Sequence, residues 1–432
     1  MAKTKSGRLQ VIFESDIKAE SVRGTKAGGR EAAAGEKGKI GEYAAIATVP
    51  LVLVLGNSML IPVLPDLKRA LNITQFQTSL IITLFSVTSG AAIPVIGFLS
   101  DRFGRKAVII PALALYGSAG LLAGLGAVWE SYWVVISARV LQGLGAAGTA
   151  PIAMALVGDK YSGGTESKVL GLTEASNGIG KVLSPIIGSL LAIIVWYAAF
   201  FAFPAFCLLS LLAMLFMVKE PDKGGEPKKL KDYLAGIASI FRQKGRWLIT
   251  SFFAGSSGLF ILFGVLFYLS DILEKKPHEI DGVVKGLVLA VPLMGMVIAS
   301  YTTGALIKKN GVLIRRLMNI GLILSTASLV MAVFFYRNIY VFIGLLTLSG
   351  IGTGMLLPCL NTMITGSVEK SERGMITSLY SSLRFFGVAF GPPLFGWLMA
   401  ISHQAVFIAA SALSLVTLAL VFFLIKPDRN VG

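Results

Sequence analysis

Four ionisable side chains interrupt the apolar runs of this 432-residue chain: Arg139, Glu174, Lys181 and Arg384. A charge inside such a run costs several kcal/mol unless it is paired, hydrated or put to use. One carboxylate among three cations offers two kinds of chemistry. The carboxylate can take up and release a proton in a partly dry cleft. The cations disfavour lipophilic cations and suit anionic, zwitterionic or neutral amphiphiles. Glu174 and Lys181 are seven positions apart, which on a helix places them on one face about 10 Å apart in height. Glu174 is the only acid assigned to the interior of an apolar run, so it is the expected protonation site, with Arg139 or Lys181 competing for its carboxylate. Asn57, Ser58, Gln142, Asn177, Tyr268, Asn361 and Tyr380 are candidate cavity-lining groups, although each also suits a helix–helix hydrogen bond. His278 and His403 fall in expected outer loops, and Cys207 and Cys359 lie inside apolar runs without metal-ligand spacing. No metal, cofactor or catalytic group is expected, and an intramembrane enzyme or simple pore is disfavoured.

The elements that position these groups follow from composition. The chain is 55% hydrophobic and only 14% charged, too apolar for a soluble domain of this length. A membrane-crossing helix needs roughly 20 apolar residues. Twelve runs qualify, near 43–65, 77–99, 107–128, 132–156, 168–193, 197–218, 246–271, 284–307, 312–335, 339–364, 375–400 and 403–425. The expected fold is an all-α integral membrane protein of twelve transmembrane helices.

The net charge of +16 does not point to nucleic acid, because its distribution follows topology. Lys and Arg concentrate in the N-terminal tail, between spans six and seven, and in short loops on the same side. Only Lys68, Arg69, Lys275, Lys276, Lys285 and Arg337 fall on the other side. That asymmetry places both termini in the cytoplasm of a cell-membrane protein, with attraction to anionic lipid of the bilayer as a side effect. Aromatic residues mark the interfaces, with Trp129, Tyr132, Trp133, Trp196, Tyr197, Tyr336 and Tyr340 at outer ends and Trp247 at an inner end. Residues 1–41 read as a disordered cytoplasmic tail. Residues 42–218 and 247–425 form two six-helix bundles, and 426–432 a short cytoplasmic tail. Between the bundles, 219–246 is a linker in which Leu230, Leu234, Ile237, Ile240 and Phe241 suggest an amphipathic surface helix.

The two bundles are related by an internal repeat. One offset, 207 residues from Gly97 to Gly304, also superposes Gly104 on Gly311 and Gly143, Gly145 and Pro151 on Gly350, Gly352 and Pro358. Gly180 and Pro185 fall on Gly387 and Pro392, and Asn177 on Arg384. Two such pseudo-repeats imply a central cavity between them near the membrane midplane. Asp101 corresponds to Lys308 and Arg139 to Leu346, so the second copy has decayed where the first is most charged.

Three segments carry a family resemblance. Gly97-Phe-Leu-Ser-Asp101-Arg102-Phe-Gly104-Arg105-Lys106 resembles the signature loop between spans two and three of major facilitator superfamily transporters. Arg139-Val-Leu-Gln142-Gly143-Leu-Gly145-Ala in span four resembles an element of the twelve-span drug:proton antiporters of that superfamily. Gly180-Lys-Val-Leu-Ser184-Pro185-Ile-Ile-Gly188-Ser189 resembles their span-five element, with serines at two glycine positions. Span one carries Asn57 where many of these antiporters carry an acid. The resemblance implies that Gly97, Asp101, Arg102, Gly104, Arg105 and Lys106 form a gating latch, and that Gly180, Pro185 and Gly188 belong to the conformational machinery. Asp101 is expected to accept hydrogen bonds from helix N-terminal amides and to pair with a nearby Arg.

The leading expectation is a proton-coupled exporter of small amphiphilic compounds or drugs, acting by alternating access as a monomer. A lipid or glycolipid flippase on the same fold, or an importer of organic anions or sugars, fits the same residues.

Overall fold

A computed structural model describes residues 39–161, 163–220, 230–307, 310–366 and 370–426. Among these residues, twelve helices are long and apolar enough to cross a membrane: α1 (Lys39–Ala70), α2 (Gln75–Phe103), α3 (Arg105–Val128), α4 (Tyr132–Lys160), α5 (Lys168–Ile194) and α6 (Ala198–Met217) in the first half. The second half holds α7 (Gly245–Glu274), α8 (Gly282–Ile307), α9 (Gly311–Phe335), α10 (Ile339–Gly366), α11 (Gly374–Ile401) and α12 (His403–Leu424). Each lies within a few residues of the run expected from hydropathy. An even number of crossings puts Lys39 and Leu424 at one face, called here the termini face.

The repeat is visible in packing as well as in sequence. Gly143 of α4 lets the helix press against the carbonyl of Phe85 in α2, and Gly350 of α10 presses in the same way on the carbonyl of Pro292 in α8. Both members of the pair are offset by the same 207 residues. Small residues permit such backbone contact between helices, which larger side chains would hold apart. Similar contacts bind α1 to α5, where Gly188 abuts the carbonyl of Met59 and the Ser184 hydroxyl donates to the carbonyls of Gly180 and Val54 at 2.6 and 3.3 Å.

The two halves meet along α2 and α11 and along α5 and α8. The α2–α11 seam runs the full membrane depth. Thr83 donates to the Ala389 carbonyl at 2.7 Å, Ser382 donates to the Gly90 carbonyl, and Gly97 faces Ser378 near the termini face. The α5–α8 seam is tight only in its far part. A methyl group on Gly286 would lie 2.6 Å from the Pro185 carbonyl, and one on Gly178 2.9 Å from Val297. Nearer the termini face the helices part, and among the described residues nothing beyond the adjoining turns of its own helix lies within 4 Å of where a methyl would sit on Gly171 or Gly304.

The apolar core records the same asymmetry. Toward the far face, one continuous cluster joins both halves, with Met59, Leu60, Leu64 and Phe203 on one side and Leu262, Leu266, Leu293 and Phe395 on the other. Toward the termini face the core divides. Ile46, Ile109, Leu156 and Met214 fill the first half, while Leu248, Met318, Leu360 and Ile376 fill the second. The bundle is therefore closed at the far face, whereas toward the termini face the buried cores separate and the halves stay in touch along α2 and α11, where Phe98 packs on the second-half core.

Two sequence expectations are corrected here. Residues Gly97 to Lys106 are not a loop. Helix α2 continues through Phe103 and α3 begins at Arg105, leaving Gly104 alone to turn the chain, at φ 111° and ψ 152°. That backbone conformation is open to glycine and strained for other residues. Gly97 is not a turn residue but a contact point on α11. The linker helix, in turn, is no separate element: it starts at Leu230 and runs unbroken through α7 to Glu274. Ile240 is buried in the second-half core and the Phe241 ring meets Phe252 edge-on at 5.9 Å. The side chains of Leu230, Leu234 and Ile237 lie outside the described residues, as do Lys308 and the tail before Lys39.

Candidate functional site

The signature segment builds a charge network at the termini face of the first half. Arg105 pairs with Asp101 one turn before it and with Asp159 at the end of α4, at 2.7 Å, and donates to the Ser100 hydroxyl at 2.7 Å. The backbone N–H groups of Arg105 and Lys106 donate to the two carboxylate oxygens of Glu220, each at 2.7 Å. A carboxylate there satisfies open amides and the positive end of the α3 dipole. Sequence reasoning gave that capping role to Asp101. The carboxylate seated on these amides is Glu220, from beyond α6, and Gly104 lets it approach because a side chain would strike it. Lys106 does the complementary job for α6, donating to the Leu215 and Val218 carbonyls at 2.8 and 2.6 Å.

Arg139 sits deeper and is sealed. Its side chain is fully buried, donating to the Ile81 carbonyl at 2.9 Å, to Gln142 Oε1 at 2.7 Å and to Asn57 Oδ1 at 3.3 Å. The guanidinium lies 4.3 Å from the centre of the Phe85 ring. One residue thus ties α4 to α1 and α2 through neutral partners. Among the described residues no ion pair joins Arg139 to Glu174. Asn57, Ser58 and Gln142 are buried with it inside the first half.

The remaining charged groups lie on α5 and, from the other half, on α11. Glu174 lies one turn below Gly178 on the same face of α5 and is exposed. Lys181 is half-buried and within electrostatic reach of both Glu174 and Arg384. Arg384 enters from α11 of the other half, 5.4 Å from the Tyr380 ring centre, with its Nε atom buried and unpartnered. Asn177 Oδ1 and the Tyr380 hydroxyl are likewise buried without partners. The structure therefore brings together Glu174, Lys181 and Arg384, with Asn177 on α5 and Tyr380 on α11 alongside. Asn361 is half-buried on α10. Tyr268 stands apart: its hydroxyl shares a 2.8 Å hydrogen bond with His403 Nδ1, and its ring packs on Phe342 and Phe407 within the second half. His403 is the first residue of α12 rather than a loop residue.

Sequence reasoning missed a second charged group, at the far face. Asp271 and Glu274 form the last turn of α7, so Glu174 is not the lone acid of a span. Glu274 pairs with Lys285 of α8 and, at 2.9 Å, with Arg69 of α1, which also pairs with Asp66. The available signal was acid and base spacing at the ends of the runs. Ending the seventh run at 271 left Glu274 in a loop and hid it.

Two six-helix halves around a cleft, with opposed charges at the cleft from both halves, define a secondary transporter. The chain belongs to the Major Facilitator Superfamily, whose family model matches residues 46–313 and 268–432. It is a multi-pass membrane transporter of small molecules and not an enzyme. It is 43% identical to the bacillibactin exporter of Bacillus subtilis (strain 168), over 90% of this chain and 98% of that one. Multidrug resistance protein 1 of the same organism is 26% identical over 85% of this chain and 92% of its own length. The class C tetracycline resistance protein of Escherichia coli is 26% identical over 80% and 86%. Among solved structures, the human organic anion transporter MFSD10 shares the fold with a TM-score of 0.69 at 18% identity, covering 88% of this chain and 99% of that one.

Proposed function

We propose that this transporter exports a small amphiphilic compound, bacillibactin or a molecule like it, from the cytoplasm by alternating access coupled to proton entry. The observation that carries the reading is the meeting of Glu174, Lys181 and Arg384 at the split between the halves. The positive-inside distribution of Lys and Arg assigns the termini face to the cytoplasm of a cell-membrane protein, so this conformation opens toward cargo inside the cell. A zwitterionic or hydroxyl-rich amphiphile meets both signs of the site. It donates to the Glu174 carboxylate and accepts from Lys181 and Arg384. A proton on Glu174 removes the acceptor and weakens the cargo's hold, the sign that antiport requires. Relatives that carry bacillibactin and drugs support export over import. The domain frame is two six-helix units, 42–218 and 247–425, working as a monomer.

The test is flux of bacillibactin and of amphiphilic dyes in proteoliposomes, with and without an imposed pH gradient. Glu174→Gln is expected to abolish gradient-driven flux while the protein stays folded. Unchanged gradient-driven flux in that variant sinks the coupling role. Dye flux without bacillibactin flux sinks the cargo assignment.

A further inference from the structure

The far face holds a second set of charged groups that the transport cleft does not use. Lys285, at the start of α8, is 1% exposed and donates to the Pro62 carbonyl of α1 while pairing with Glu274 of α7. Glu274 reaches across to Arg69 of α1 at 2.9 Å. One turn earlier on α7, the Ser270 hydroxyl donates to the Ile61 carbonyl at 2.9 Å. All three ties join the second half to the end of α1.

The sequence explains why α1 can receive them. Helix α1 breaks into a 3-10 turn at Ile61–Val63, which contains Pro62 and is followed by Pro65. Proline has no N–H to donate, so Pro65 leaves the carbonyl one helical turn before it, Ile61, without its usual α-helical partner. The Leu64 N–H closes a 3-10 bond to the Ile61 carbonyl, and the other half adds Ser270 as a further donor to Ile61 and Lys285 as a donor to Pro62. A lysine so buried keeps its charge at a cost unless it is paired and hydrogen-bonded, and both its partners lie where α1 and α7 converge. The ties also sit above the core cluster whose buried residues come from both halves.

We propose that Arg69, Ser270, Glu274 and Lys285 are positioning residues for transport: they hold the far face shut, and their separation is the step that releases cargo there. Cargo leaves only when Lys285 gives up Pro62 and Glu274 gives up Arg69, whatever the cargo is. The assignment depends on the two-half fold and not on the identity of the substrate.

The measurement is the distance between spin labels at Glu130→Cys in the α3–α4 turn and Arg337→Cys beyond α9, both exposed at the far face of opposite halves. Cys207 and Cys359, both buried, are first replaced by serine. Wild type is expected to show a predominant short-distance population. Lys285→Met and Arg69→Gln should each raise the ratio of long to short distances about tenfold, equal to ~1.4 kcal/mol. Lys285→Arg and Arg69→Lys, which keep charge and donor, should restore the wild-type ratio. The proposal is overturned if the neutral variants leave the distribution unchanged, or if the charge-keeping variants open the far face as widely as the neutral ones. Arg69 has a side chain 65% exposed, so its variants test the tie without burying a new group.

Discussion

Arg139 shows how little a residue's type reveals about its task. The sequence marks it as a charge in a membrane span beside a family motif, which suits proton coupling. Its partners are Ile81, Gln142, Asn57 and the Phe85 ring, all neutral and all in its own half. It therefore acts as an internal brace among α1, α2 and α4. Arg139→Ala is expected to lower stability by at least about 2 kcal/mol, from the cavity left and the acceptors stranded, read as a drop in the unfolding midpoint in detergent. A variant of full stability that loses only its gradient-driven flux would return Arg139 to the coupling machinery. The one-dimensional pattern could place Glu174 and Lys181 on a shared face because helical spacing fixes that. It could not place Arg139 relative to them, since that depends on how separate helices pack.

At the scale of the helices, glycine decides which surfaces touch. Helix α5 lies on α1 because Gly188 offers no side chain at the Met59 carbonyl, while Gly171, on the opened part of the same helix, meets nothing among the described residues beyond its own helix within 4 Å. Gly188→Val should cost about 1–3 kcal/mol by forcing the two helices apart, seen as a lower yield of monodisperse protein and a lower midpoint. Gly171→Ala should change neither; equal losses in the two variants would refute this account of the seam. Helix positions were legible from hydropathy, and the glycine-to-carbonyl repeat was legible from the 207-residue offset. The turn at Gly104 was less so. A run of Asp, Arg and Lys between apolar segments reads as a loop, yet these residues remain helical because Glu220, far away in sequence, caps the helix that follows.

For the whole molecule, the two faces differ in kind. At the far face a single core spans both halves and the Arg69–Glu274 ion pair crosses between them. At the termini face the cores are separate, and the pairs of Arg105 with Asp101 and Asp159 and of Lys160 with Glu42 stay within the first half. Cysteines at Gly171 and Gly304 should react quickly with a water-soluble thiol reagent applied to the termini face, and one at Gly286 slowly. Bound cargo should slow the first two; equal rates at all three positions would refute the asymmetry. None of this asymmetry was legible in the chain, because a repeat predicts two like halves and says nothing of how they lean. The stiffness of each half has a practical side. Backbone pressed on glycine leaves little give inside a bundle, so motion must be concentrated between the bundles, where a few side chains of α7 and α8 tie to the end of α1. Arg69 reaches out from that junction into the open. An antibody fragment gripping the ends of α1 and α7 together would arrest the carrier in one posture without resembling its cargo or competing for the cleft.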